Sequence, residues 1–303
     1  MAIVEVSDLY KRYGAIEAVA GVSFEIVEGE VYGLLGHNGA GKSTTVEILE
    51  GHRRRSGGAV SVLGIDPAAG GREFRDRIGI VLQSSGVELQ LTVREALHVY
   101  GSCYRDRRPI DEVVEMVGLT EKIDSRIGAL SGGQRRRIDL ALGIIGRPEL
   151  LFLDEPTTGF DPAARRESWQ LIRQLCAGGT TVLLTTHYLD EAEQLADRVG
   201  VLAGGRLIAE GTPEQLMAAA PNTTISFRLP DGASPEQLAL PDSVEISAGV
   251  VTFETGRPTA ALAAITAAAV ERGFELAGLS VRRPSLEDVF LQLGDDQPAP
   301  GFG

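Results

Sequence analysis

The segment Gly36-His37-Asn38-Gly39-Ala40-Gly41-Lys42-Ser43-Thr44 has the spacing G-x-x-x-x-G-K-[ST]. The glycines let successive backbone N–H groups turn into one concavity that cradles phosphate oxygens. A helix starting after Gly41 offers its N-terminus to the same anion. Lys42 can reach the β and γ phosphates of a nucleotide, and the Ser43 hydroxyl can ligate Mg2+. A glycine-rich turn arising by chance needs no particular neighbours. Here a short apolar run, Val31 to Leu35, precedes the loop, and a helical pattern through Val46, Ile48 and Leu49 follows it.

Leu150-Leu151-Phe152-Leu153-Asp154-Glu155-Pro156 is an apolar strand ending in two carboxylates. Asp154 would hold the Mg2+ through water, and Glu155 would polarise an attacking water as general base. Strand neighbours point to opposite faces, but at a strand terminus both can reach one site. Alone, such an ending is equally a solvated strand end. The phosphate loop upstream selects the chemical reading.

Leu130-Ser131-Gly132-Gly133-Gln134, followed by Arg135-Arg136-Arg137, sets a small hydroxyl and two glycines before a helical pattern. That is a second anion site at a helix N-terminus. One chain needs one phosphate loop per nucleotide, so the second site implies that two chains share each nucleotide. The plainer alternative is a helix cap followed by a solvated basic run.

The elements that must position these groups follow from periodicity. Residues 2–6, 22–27, Val31–Leu35, Leu150–Leu153 and Thr180–Thr186 read as strands, and Arg165 to Cys176 as a helix. Strands alternating with helices predict a parallel sheet. Residues 84–148 carry helical periodicity around Val93–Tyr100, Ile110–Val117 and Gly133–Ile145, and read as a helical insertion. The pattern stops near Pro213–Pro221. Beyond it, strand candidates at Thr224–Leu229, Val244–Ile246, Val250–Glu254 and Glu275–Val281 surround an Ala-rich helix, Thr259–Arg272, which predicts a small α+β domain. Residues 294–303 are polar and Gly/Pro-rich, the composition of a flexible tail.

Composition narrows the class. The 303 residues carry 29 Lys+Arg against 42 Asp+Glu, a formal net charge of −13. So acidic a chain makes a poor non-specific nucleic-acid binder, because that affinity comes from cations on phosphates. The 2 cysteines, Cys103 and Cys176, lack metal-ligand spacing and fit a reducing, cytoplasmic setting. The N-terminus has no basic region before an apolar core, which argues against a signal peptide, and no run of about 20 apolar residues would span a bilayer. Work at a membrane would go through a partner.

In this order the motifs resemble those of the ATP-binding subunits of ATP-binding cassette (ABC) transporters. The resemblance covers about residues 2–217, with Leu130–Gln134 as the signature motif. It implies a P-loop NTPase fold of class α/β: a mainly parallel sheet with an antiparallel β subdomain and a helical subdomain, here about 84–148. The cassette would occupy 1–220 and the accessory domain 222–293. Tyr13 matches the aromatic that stacks on adenine. Gln83 matches the Q-loop glutamine, which contacts Mg2+ or the attacking water and relays to the membrane partner. Gly159-Phe160-Asp161 matches the D-loop, and His187 the switch histidine that senses the γ-phosphate. His37 and Phe160 depart from the usual residues, without removing a catalytic group. The ending Arg283-Pro-Ser-Leu-Glu-Asp-Val-Phe-Leu-Gln-Leu293 resembles the tail of daunorubicin-resistance-type exporters; it also reads as an amphipathic closing helix, with Leu286, Val289, Phe290 and Leu293 on one face.

The resemblance implies an ATPase using ATP and Mg2+, which closes as a dimer of two copies against an ABC-2-type permease at the cytoplasmic face of the membrane. The exported compound would be a drug, an antibiotic or another hydrophobic molecule. The alternatives are an importer ATPase and a non-transport ABC ATPase acting on ribosomes or DNA. The α+β pattern after Thr223 and the closing helix Leu286–Leu293 argue against the first, and the single cassette and acidic charge against the second.

Overall fold

The computed structural model describes residues 1–82, 86–219, 223–230, 232–241, 243–286 and 288–289. The chain divides into two compact units, Met1–Pro213 and Glu214–Gly303.

The first unit opens with two long strands, β1 (Ala2–Tyr13) and β2 (Ile16–Val27), paired antiparallel. Next come β3 (Val31–Gly36), α1 (Lys42–Leu49), β4 (Gly57–Val62), α2 (Arg72–Arg77) and β5 (Ile78–Val81). Three helices follow, α3 (Val93–Gly101), α4 (Ile110–Met116) and α5 (Gly132–Ile144), at the three helical patterns between 84 and 148. The unit closes with β6 (Leu150–Asp154), α6 (Pro162–Ala177), β7 (Thr181–Thr186), α7 (Leu189–Leu195), β8 (Arg198–Ala203) and β9 (Arg206–Gly211).

Strands β2-β1-β4 form an antiparallel sheet, and β5-β6-β7-β3-β8-β9 a second sheet that is parallel except for β9. Strand β6 shows how the centre of this second sheet is buried on both faces. Leu150 and Phe152 enter one core with Leu34, Ile48 and Leu183, while Leu151 and Leu153 enter the other with Ile138, Ile144, Leu171 and Leu184. Apolar residues at every position of a strand are the mark of a sheet covered on both sides.

The sequence reading stops β1 at residue 6 and starts β2 at 22. Both strands are longer because bulges, including those at Val6/Leu9 and Leu9/Tyr10, break the period-two pattern without ending the pairing. Among the described residues no helix is long and apolar enough to cross a membrane.

The second unit begins inside α8 (Pro213–Ala219), at Glu214. Strands β10 (Thr223–Arg228), β11 (Glu245–Ser247), β12 (Val250–Thr255) and β13 (Ser280–Arg282) form an antiparallel sheet in the order β11-β12-β10-β13. Helix α9 (Pro258–Glu271) packs Ile265 and Ala269 against Ile225, Phe227, Val251 and Phe253. The strand expected over Glu275–Val281 is confined to Ser280–Arg282, the residues that pair with β10. The closing helix expected at Leu286–Leu293 falls partly outside the described residues, and the tail 294–303 wholly so.

Candidate functional site

Strand order builds the site. In β6-β7-β3 all three strands run parallel, so their C-terminal ends lie on one edge of the sheet. Gly36 ends β3, Asp154 ends β6, and His187 follows the last residue of β7. Ligands of open α/β sheets bind outside such carboxyl ends.

At the end of β3 the chain wraps around Lys42. Its Nζ donates to the carbonyls of Gly36 at 2.6 Å and His37 at 3.2 Å. Lys42 is buried, and burial holds its pKa below the ordinary lysine range, offset in part by the charges of Glu155 and Asp154. His37, Asn38, Gly39 and Ser43 are exposed, Ala40 is buried, and Gly41 and Thr44 are half-buried. Gly41 caps α1 at φ 104° with no side-chain cap. A Cβ there would lie 2.6 Å from the Ala18 carbonyl oxygen, so only glycine fits. As a glycine, Gly41 supplies no side-chain cap to the first N–H groups of α1.

At the end of β6 the two carboxylates turn together because Glu155 adopts a left-handed backbone, φ 48°. This conformation costs a non-glycine residue about 1 kcal/mol or more. Asp154 accepts a hydrogen bond from the Thr185 hydroxyl on the neighbouring strand. Glu155 Oε1 lies 2.9 Å from His187 Nδ1, and its Oε2 accepts from the Thr158 hydroxyl at 3.2 Å. The donor set fits a hard divalent cation shared with substrate phosphates: one carboxylate on Asp154 and one hydroxyl on Ser43.

The second glycine-rich turn is built differently. Ser131 is the N-cap of α5; its Oγ accepts from Gln134 N–H at 3.2 Å, and Gln134 Oε1 accepts from Ser131 N–H at 3.0 Å. This is a capping box. A Cβ on Gly132 or Gly133 would meet nothing within 4 Å. Asp161 likewise caps α6, its Oδ1 accepting from Ala163 and Ala164 N–H at 2.9 Å each. Those bonds hold its carboxyl below the usual aspartate range.

Tyr13 ends β1, 39% exposed, with Lys11 Nζ 4.9 Å and Arg53 Cζ 5.3 Å from its ring centroid. Gln83 lies outside the described residues.

Two buried charged residues near these motifs were not legible as site residues. The reading of Arg135-Arg136-Arg137 as a solvated run fails at its centre, because Arg136 is buried. Its place three residues before Asp139 and four before Leu140, both also buried, was the available signal. Glu191 on α7 is fully buried and accepts from the Thr157 hydroxyl at 2.8 Å and Trp169 Nε1 at 3.3 Å. Burial raises its pKa, and bonds from Thr186, Thr157 and Trp169 oppose that rise.

Residues 19–158 match the family described as ABC transporter, and residues 223–285 the C-terminal domain of ABC transporter domain-containing-like proteins. A daunorubicin resistance ATP-binding protein of Streptomyces coeruleorubidus is 41% identical over 297 residues, covering 93% of this chain and 92% of that protein. A Nod factor export ATP-binding protein of Rhizobium johnstonii is 41% identical over 300 residues, with 96% and 94% covered. Among solved structures, the ATP-binding subunit of an ABC transporter superposes with TM-score 0.66 at 28% identity, over 72% of this chain and 92% of that one. A dimeric ATP-binding cassette in a post-hydrolysis state with ADP and Pi superposes with TM-score 0.63 at 26% identity, over 69% and 98%.

Proposed function

Because the chain belongs to the ATP-binding subunits of ABC transporters of the daunorubicin-resistance type and is an ATPase that energises export, we propose the roles of its residues one by one. The observation that carries the assignment is the contact of Glu155 with His187 at 2.9 Å, on the sheet edge that also ends in the Lys42 cradle.

Tyr13 stacks on adenine. The backbone from Gly36 to Thr44 cradles the phosphates, and Lys42 moves from its carbonyl partners onto the β and γ oxygens. Ser43, Gln83 and Asp154 (the last through water) are the residues that would hold Mg2+, which would supply charge neutralisation on the phosphates. Glu155 accepts the proton of the attacking water, and His187 orients that carboxylate and senses the γ-phosphate. Catalysis of this kind is mainly positioning and charge stabilisation.

Two copies close face to face. Each presents Ser131, Gly132, Gly133 and Gln134 to the nucleotide held by its partner, with Asp161 lining the seam. The dimeric cassette among the structural relatives supports this arrangement. Closure pushes on an ABC-2-type permease at the cytoplasmic face of the membrane. The permease docks near the helical insertion, at a mainly apolar cavity of about 380 Å³ lined by Leu82, Val87, Tyr100 and Tyr104. The names of the curated relatives, for daunorubicin resistance and Nod factor export, support a hydrophobic or amphipathic cargo leaving the cell.

The test is Glu155→Gln, which keeps shape and removes the base. ATP binding persists and hydrolysis slows by about 10²–10⁴-fold. With ATP and Mg2+ the variant accumulates as a dimer on size exclusion. Wild-type turnover, or a monomer under those conditions, overturns the shared-site reading.

A further inference from the structure

Arg136 sits in the second turn of α5, one turn past the signature glycines, with its side chain only 10% exposed. Its guanidinium reaches four backbone carbonyls. Nε donates to Pro156 at 3.2 Å, and Nη2 to Asp154 at 2.9 Å and Glu155 at 3.0 Å. Nη1 donates to Leu82, the residue before Gln83. Asp139 Oδ2, 3.7 Å away, supplies the nearest counter-charge.

Three successive carbonyls, 154 to 156, converge on one cation because Glu155 between them is left-handed. In an extended strand successive carbonyls alternate in direction and a single group could not collect them. The guanidinium therefore gathers the carbonyls of Asp154 and Pro156 together with that of Glu155, which also accepts from Thr158 N–H at 3.3 Å, and it favours the backbone conformation that aims the Glu155 carboxylate at His187. The same fork ties that turn to α5 on one side and to the approach to Gln83 on the other.

We propose that Arg136 is a positioning residue for hydrolysis: it holds the left-handed turn that aims Glu155 and fastens it to the signature helix. When Ser131–Gln134 engages a nucleotide on the second copy, any rotation of α5 is felt at Glu155 of the same copy and at the segment entering Gln83. The two nucleotide sites of a dimer are thus coupled through a side chain that touches neither nucleotide. The proposal rests on the reading of Glu155 as the base.

The test uses the purified full-length chain. Arg136→Lys keeps the charge but lacks the planar fork, and Arg136→Met keeps much of the length without donors. In both, kcat falls about 10–100-fold, the loss expected when a reacting group is misplaced by about an ångström. KM and affinity for a fluorescent ATP analogue stay within about threefold, and the thermal melt remains cooperative. In a Glu155→Gln background, Arg136→Lys adds little further loss, because no base remains to be aimed. The proposal is overturned if Arg136→Lys turns over at the wild-type rate, if its effect is fully additive with Glu155→Gln, or if both variants lose a cooperative melt, which makes Arg136 a residue of general stability. A wild-type protein that does not hydrolyse ATP, or a fully active Glu155→Gln, instead sinks the reading of the site itself.

Discussion

Helices α1 and α5 both begin at glycines beside small hydroxyl residues, yet their N-termini are finished in opposite ways. At α1 the cap is a left-handed glycine with no side-chain bond, and the nearest cation, Lys42, is folded onto the loop's own carbonyls. At α5 a reciprocal box between Ser131 and Gln134 satisfies donors before any ligand arrives. In the proposed reading the first terminus holds its anion alone. The second is already capped by its own side chains, and in the proposed reading it meets a nucleotide only when two copies close. Glycine has a different purpose in each. Gly41 is required by its own chain, while Gly132 and Gly133 leave open space.

The largest effect that breaks this comparison is expected at Lys42. Lys42→Ala removes the cation inside the cradle, and hydrolysis falls by about 10²-fold or more, with weakened ATP binding. Steady-state ATPase assays and nucleotide titration check this. Near-normal turnover would show that the α1 loop is not the phosphate site.

Ser131→Arg tests the other terminus. The bulky cation blocks closure, so hydrolysis drops by about 10²-fold or more while ATP binding by the isolated subunit stays within about threefold. Loss of binding in the isolated chain would move the α5 turn onto the same face as Lys42 and abolish the distinction.

Much of this was legible because the motifs have rigid spacing requirements. Gly36 to Thr44, Asp154-Glu155 and Ser131 to Gln134 could be named from residue order alone, and the helical patterns at 93, 110 and 133 lie where α3, α4 and α5 form. What escaped depends on contacts between segments distant in sequence. The four-residue β5 gives no usable periodicity, yet it extends the sheet beside β6. Arg136 looks like one of three surface arginines until the β6 turn is set against α5. The left-handed Glu155 has no local signal, because nothing in Asp-Glu-Pro demands it. Asp161 carried a second, purely local message, a helix cap followed by proline, that any reading of Asp-Pro-Ala-Ala can recover.

Helix α1 also carries an electrostatic burden at its far end. Glu50, its C-cap, is buried, and burial together with the charges of Asp154 and Glu47 pushes its pKa up to about 8 from 4.5. The raised value means that the stability held by the protonated form is complete below about pH 4.5 and is lost as pH rises through about 8. Glu50→Gln removes that loss. Its advantage over wild type should be small at pH 5 and up to about 4–5 kcal/mol at pH 9, read as a higher Tm at the higher pH. An unchanged pH dependence of melting would show that burial does not raise the Glu50 pKa.

The smallest effect on stability, and the sharpest on the comparison, is expected at Gly133. The residue lies within the first turn of α5, where a Cβ meets no neighbour within 4 Å. Alanine is the better helix former, and replacing glycine at a compatible helical position stabilises by roughly 0.4–1 kcal/mol. Gly133→Ala should therefore melt a degree or more above wild type. Gly41→Ala should melt below it, because φ 104° and an Ala18 oxygen at 2.6 Å both oppose a side chain. If glycine at 133 exists to let a second copy's phosphates approach the backbone, Gly133→Ala must lose hydrolysis while gaining stability. A variant that is both more stable and fully active would leave the open space at α5 without a ligand to explain it, and the two helix termini would differ only in how they are capped.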